Sequence, residues 1–167
     1  CHMAKDSSFD VVSTVDMQEV DNAYQQTARE LTQRYDLKGS GASIELSKAD
    51  AIVTVSAPAE FVAKQVIDVF NGRLVKRQVD LKSLSWDKPQ AASGGSVRVV
   101  GHIVQGIDKE CAKKISKDIR DLKLKVKATV EDDKLRVASA SRDALQEVIA
   151  FLRDQDYGIP LQFNNYR

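Results

Sequence analysis

Apolar residues along this chain recur with two periods, near two and near 3.6, and the same order of periods occurs twice. Residues 9–15 alternate and are rich in β-branched side chains, the pattern of a half-buried strand. Asp16 follows as a helix cap, with Glu19 completing an Asp-x-x-Glu variant of the capping box. Met17, Val20, Tyr24, Ala28, Leu31 and Tyr35 then form a core-facing helical stripe. Residues 42–46 and 51–55 predict a hairpin, and residues 81–86 a fourth strand. Between them Pro58 suits a first helical turn, and Phe61, Val62, Val66, Val69 and Phe70 supply a second stripe. Asn71-Gly72 leaves the end of that helix open.

The second half repeats the order. Residues 97–104 read as a strand, and Asp108 caps a helix carrying Ile107, Cys111, Ile115, Ile119 and Leu122 on one side. Residues 122–130 and 135–137 predict strands joined at Asp132-Asp133. Ser141 caps a helix with Leu145, Val148, Ile149 and Leu152, and residues 161–166 close the unit. Asp36 and Asp121 lie 85 residues apart, and Gln65 and Glu147 lie 82 apart, so the chain contains two copies of one pattern. Each copy reads strand, helix, strand, strand, helix, strand. The expected fold class is α+β: two tandem ferredoxin-like (βαββαβ) split-sandwich domains from an internal duplication. The expected boundaries are 1–7 for a tag and disordered N-terminus, 8–87 for the first domain, 88–95 for a linker and 96–167 for the second. The pattern leaves open whether terminal strands are exchanged between the domains.

Alternation also sorts residues by sheet face. In the second copy it turns Lys123, Lys125, Lys127, Lys134, Arg136, Arg98 and His102 outward, on the face away from the helices. Neighbouring cations repel by ~1 kcal/mol per close pair in water, so such a face invites a polyanion or an acidic partner. The matching face of the first copy carries Asp10, Thr14, Asp16, Ser43, Glu45 and Thr54. Internal docking of the two faces, or simple solvation, would satisfy the same pattern. Net charge agrees with the asymmetry: residues 1–87 hold 10 basic and 13 acidic side chains, and residues 88–167 hold 15 and 11.

Composition excludes several classes. Hydrophobic residues make up 43% of the chain, enough for a folded core, and no run approaches the ~20 apolar residues of a membrane span. Cys1-His2 ahead of Met3 is read as an expression remnant, which leaves Cys111 and no disulfide framework. With no apolar signal region at the start, the expected compartment is the cytoplasm. His102 and His2 are the only histidines, and there is no Walker loop, nucleophile elbow or Cys-x-x-Cys. An enzyme is therefore not expected, and Cys111 reads as a structural thiol. Residues 51–57 and 134–140 contain no aromatic residue, which argues against base stacking on those strands.

Several segments together carry a resemblance. Ser8-Phe9-Asp10-Val11-Val12-Ser13-Thr14-Val15-Asp16-Met17-Gln18-Glu19-Val20 is similar to the opening signature of the YajQ-like family of bacterial proteins. Tyr35-Asp36-Leu37-Lys38-Gly39, Gln105-Gly106-Ile107-Asp108, Leu124-Lys125-Val126, residues 137–145 and Leu161-Gln162-Phe163-Asn164-Asn165-Tyr166-Arg167 follow in that family's order and spacing. The resemblance implies two ferredoxin-like domains and a nucleotide-binding rather than catalytic role. It also implies nucleic acid or a nucleotide as ligand, with cyclic di-GMP, acting through a transcription-factor partner, among the roles described for the family. Leu37 stands where the family usually has Phe, which removes an aromatic candidate for stacking.

The expected phosphate contacts are Lys123, Lys125, Lys127 and Arg136, with Lys38, Gln105 and Arg167 adding hydrogen bonds at family-matching positions. Lys76-Arg77 is a second basic cluster, explained equally by a solvated helix end. Trp86 and Tyr166 are the aromatic candidates for stacking, with core burial expected for Trp86. No cofactor is expected. The sequence thus supports a non-catalytic nucleotide-binding regulator that binds cyclic di-GMP or RNA phosphates. The alternative is a protein-interaction module whose basic sheet face docks an acidic partner such as a transcription factor.

Overall fold

The computed structural model describes residues 6–167, so positions 1–5 of the tag and disordered N-terminus expected over 1–7 lie outside the described residues. Ser7, expected to be disordered, instead opens strand β1 (Ser7–Val12). The chain divides into two compact units, Val15–Val104 and a second made of Gln105–Arg167 with the residues up to Thr14.

In the unit Val15–Val104, helix α1 (Met17–Gln33) starts where Asp16 accepts hydrogen bonds from the Gln18 and Glu19 amides. The return half of the capping box does not form: the Glu19 carboxylate accepts from Asn22 and Arg77 instead. Hairpin strands β2 (Ser43–Ser47) and β3 (Ile52–Ala57) follow, then α2 (Glu60–Lys76), β4 (Leu84–Trp86), β5 (Gln90–Ala91) and β6 (Val97–Ile103). Asn71-Gly72 lies inside α2, where Val66, Val69, Phe70 and Leu74 fasten the helix to the sheet on both sides of the weak step. The antiparallel sheet has the order β2-β3-β6-β4, with β5 on the start of β6. Ile44, Val53, Val55, Val99 and Ile103 form one core with Val20, Leu31, Val66, Phe70 and Leu74 of the helices. Two stripe assignments fail. Tyr35 lies beyond the end of α1 and is 100% exposed, and Phe61, on the first turn of α2, is 70% exposed.

Segment 88–95, expected to link two domains, lies within this unit. Asp87 donates its amide to Val100, Gln90 and Ala91 pair with Arg98 and Val97, and the chain turns back through Gly94 and Gly95 at positive φ. Trp86 packs against the Gly101 backbone and edge-on to Phe70. A Cβ at position 101 would stand 2.8 Å from two ring carbons. Gly101→Ala is therefore expected to cost about 1–3 kcal/mol by overpacking. A urea titration followed by the fluorescence of Trp86, the chain's one tryptophan, checks this, and an unchanged midpoint would show that the ring has room to move.

The second unit combines β1 with α3 (Lys109–Asp121), β7 (Lys127–Glu131), β8 (Lys134–Ser139), α4 (Arg142–Arg153) and β9 (Gln162–Asn164). Its antiparallel sheet has the order β7-β8-β1-β9. Phe9, Val11, Leu135 and Val137 meet Ile115, Ile119, Val148, Ile149 and Leu152 in its core. The pairing does not follow the boundaries expected at 8–87 and 96–167. β1 pairs with β8 and β9, while β6 pairs with β3, β4 and β5. Both strands alternate in the same way, so hydrophobic pattern suits either to the centre of either sheet. Charge selects: Asp10 of β1 stands opposite Arg136 in β8, whereas β3 has no cation to offer it. The strand expected over 122–130 is also shorter. Leu122 caps α3, Lys123 turns at φ 56°, and pairing begins at Lys127.

Candidate functional site

Because β6 joins the other sheet, Arg98 and His102 do not share a sheet with Lys134 and Arg136, and the expected seven-group basic face does not form through strand pairing. His102 places Nε2 2.8 Å from Asp87 Oδ2. Lys134 and Arg136 are already paired. Lys134 Nζ lies 3.2 Å and Arg136 Nε 3.4 Å from the carboxylate of Asp10, which is 2% exposed. Asn165 Nδ2 donates to the same group at 2.8 Å. Burial pushes the Asp10 carboxyl up, but the hydrogen bonds from Asn165, Lys134 and Arg136 outweigh it and leave it below its ordinary value. This network has the build of a structural clasp.

The other expected contacts are scattered. Lys127 is exposed on the sheet's open face, and Lys125 precedes the strand, its carbonyl accepting from Ser139 Oγ at 2.6 Å. Lys123 sits in the left-handed turn after α3. Lys38 is exposed in the turn after α1, one residue from Leu37, which is buried at 2% exposure. Position 37 thus belongs to the core, and an aromatic there would not face a ligand. Gln105 lies between the two units' cores in sequence, next to Gly106, whose amide donates to Ser13. Arg77 is engaged with Gln26 and Glu19 of α1, so the Lys76-Arg77 cluster fits a helix end. Cys111 is half-buried, and burial with nearby Asp108 pushes its thiol up. Alkylation of Cys111 at pH 8 is accordingly expected to run several-fold slower than that of a free thiol near its ordinary ~8.5, and an equal rate would contradict the structural reading.

One expected residue, Arg167, does enter a built pocket. A cavity of about 360 Å³ is lined by Ser7, Ser8, Arg142, Gln146, Tyr166 and Arg167, with Leu145 and Ile149 of α4 among its walls. Ser8 and Arg167 exchange backbone hydrogen bonds of 3.2 and 3.0 Å, which extends the β1–β9 edge and fixes the position of Arg167. Tyr166 packs against Phe9 with ring centroids 6.2 Å apart, and remains 60% exposed. Arg142 is the first residue of α4, directly after Ser141, whose hydroxyl accepts the Ala144 amide at 3.1 Å. Among the described residues neither Arg142 nor Arg167 has an ion pair. A cation at a helix N-terminus opposes the helix dipole, so Arg142 occupies a position that local energetics disfavour. Two open guanidinium groups, an anchored aromatic ring and an amide form a set able to hold phosphate oxygens and a base.

The second cavity of note, about 690 Å³, lies in the unit Val15–Val104 and is walled by Phe61, Ile67, Trp86, Pro89 and Val99. Trp86, expected in the core, packs on the core with one part and lines this cleft with another. Among the described residues, no group of three or more His, Cys, Asp or Glu side chains gathers to hold a metal. No helix among them is long and apolar enough to cross a membrane.

Comparison with known proteins places the chain in a family. The family model described as "Nucleotide-binding protein YajQ-like" matches residues 7–167, and the chain belongs to that family. A protein of Nocardia farcinica named "Nucleotide-binding protein" is 53% identical over 163 residues, covering 97% of this chain and 99% of the relative. Relatives of the same name from Desulfitobacterium hafniense and Chloroherpeton thalassium are 49% and 46% identical over 165 residues, covering 99% of this chain and 100% of each. The family's name is that of a nucleotide-binding protein and not of an enzyme.

Proposed function

We propose that the pocket at the start of α4 is the nucleotide site of a non-catalytic cytoplasmic regulator, which binds cyclic di-GMP or the phosphates of RNA. The observation that carries this reading is the pairing of two guanidinium groups, Arg142 and Arg167, with the open ring of Tyr166 in one cavity. Arg142 and Arg167 hold phosphate oxygens through charge-assisted hydrogen bonds. Tyr166 stacks on the base, and Gln146 or the Ser7 and Ser8 hydroxyls meet its edge. At about 360 Å³ the cavity lies near the lower end of the ~300–1,000 Å³ usual for ligand pockets, which suits one nucleotide unit at a time. Lys127 stands opposite Ala138 on the open face, the other side of the sheet from the α4 walls of the pocket.

Both sheets share one order, with the two central strands flanked in the same sequence, and each carries two helices. We take the two units as ferredoxin-like copies of one duplicated motif, with β1 and β6 in equivalent central positions. The interaction-module alternative loses weight because Asp10, with Glu131 3.9 Å from Arg136, already balances Lys134 and Arg136.

Calorimetric titration with GMP, cyclic di-GMP and a short single-stranded RNA, at two salt concentrations, tests the reading. Saturable binding of at least one, weakened by salt, supports it, and binding of none sinks it. Lys127→Ala, on the sheet face away from α4, is expected to change binding less than about twofold at low salt and less still at high salt. Lys123→Glu, in the turn after α3, should change it less than about twofold.

A further inference from the structure

The 690 Å³ cleft differs in chemistry from the pocket of α4. Its walls are apolar: Phe61 and Ile67 from α2, Trp86 from β4, Pro89 and, at its base, Val99. Phe61 is 70% exposed there, an aromatic side chain on a helix with nothing laid over it. Three charged side chains line the cleft, the carboxylates of Glu60 and Asp87 against the ammonium of Lys64. Asp87 already holds His102 Nε2 at 2.8 Å, so Glu60, without an ion pair among the described residues, is the carboxylate left to meet a cation beside an apolar group.

The cleft also runs along a sheet edge. β4 is the last strand in the order β2-β3-β6-β4. Val104 donates its amide to Ser83 and Asp87 donates to Val100, so the hydrogen-bonded pairs with β6 fall at alternate residues. Antiparallel geometry then turns the backbone N–H and C=O of Trp86 outward, away from β6. An unpaired strand edge beside an apolar trough is what an extended chain needs: backbone bonds for affinity and a hole for alternate side chains. Pro89 interrupts the edge before β5 resumes it, which limits the contact at β4 to a short stretch of a guest strand.

We propose that this cleft docks an extended peptide of a partner protein, with a bulky apolar side chain seated between Phe61 and Trp86 and a basic residue beside it. The peptide adds as a short strand to β4, and a cation on it meets Glu60. The proposal is independent of the nucleotide reading, since it uses other residues in another unit.

The test is a panel of capped heptapeptides, Gly-Arg-Val-X-Val-Arg-Gly with Leu, Ile or Phe at X, titrated into the full chain while Trp86 fluorescence is followed. Matching peptides carry Glu for Arg, or N-methyl groups at alternate peptide nitrogens. The basic peptides should saturate the signal, the acidic ones should bind at least about tenfold more weakly, and the N-methylated ones should not bind. Phe61→Ser, at an exposed position and checked by circular dichroism, should weaken binding about tenfold. Glu60→Lys should weaken it several-fold and flatten its salt dependence. The proposal is overturned if no basic peptide saturates at millimolar concentration, if acidic or N-methylated forms bind equally, or if folded Phe61→Ser binds as before. It is overturned as well if GMP displaces the peptide, because the cleft would then be a base-binding site.

Discussion

Replacing Asp10 with Ala is expected to lower the unfolding free energy by about 2–3 kcal/mol, below the ~3–5 kcal/mol for breaking a fully buried pair. The discount follows from geometry: Asp10 keeps 3% of its side chain exposed, but Lys134 and Arg136 keep 35% and 32%, so water takes over part of their solvation. The variant also removes the hydrogen bond from the Asn165 amide, which water replaces at that exposed residue. The effect is pH-dependent with a fixed sign. A carboxyl held below its ordinary ~3.9 contributes stability that is fully present above that value and is lost as pH falls through the lower native one. Denaturation midpoints of the wild type and Asp10→Asn should therefore differ at pH 7, and the gap should begin to close only below about pH 4. A gap that stays constant on acidification would contradict the clasp.

In nucleotide binding the largest loss is expected from Arg142 and Arg167. A hydrogen bond to a charged group contributes about 1.5–3 kcal/mol, so Arg142→Ala should weaken binding by about tenfold to a hundredfold. Arg142→Lys should recover only part of this, because an ammonium cannot make the two-pronged contact. Arg142 is exposed and opposes the helix dipole, so its loss should leave stability unchanged or slightly raised. A fall in both affinity and stability would mark Arg142 as a structural residue instead. Tyr166→Ala should cost about 1–3 kcal/mol of binding through lost stacking, read in the same titration. Tyr166→Phe should retain most of the affinity.

The sequence showed the helices most clearly, since three of them announce their starts through a cap. Asp16, Asp108 and Ser141 each accept an amide hydrogen bond from the following turn, the bond their residue types favour. Phe61 misled because a helix near its first turn can satisfy the stripe while its outer edge overhangs the sheet. The run Leu122-Lys123-Leu124-Lys125-Val126 misled for another reason: a helix end followed by a left-handed turn can alternate like a strand. Strand exchange was beyond the pattern, because residues 7–12 and 97–103 alternate alike and are distinguished by local partners, the cations around Asp10 and the Trp86 ring on Gly101. Of the candidate site, Arg167 was legible through family resemblance and Arg142 was not singled out. The sequence offered no signal for it, since a cation directly after a cap also occurs at Asp108-Lys109.

The most direct test of the site is a map of backbone amide shifts in isotope-labelled full-length protein as GMP, cyclic di-GMP or a short RNA is added. If the pocket of α4 is the nucleotide site, the saturating shifts gather on Ser7, Ser8, Ala144, Gln146, Tyr166 and Arg167 and vanish in Arg142→Ala. Shifts gathered instead on Phe61, Lys64 and Trp86, unchanged by Arg142→Ala, would place the nucleotide in the other unit and contradict the account.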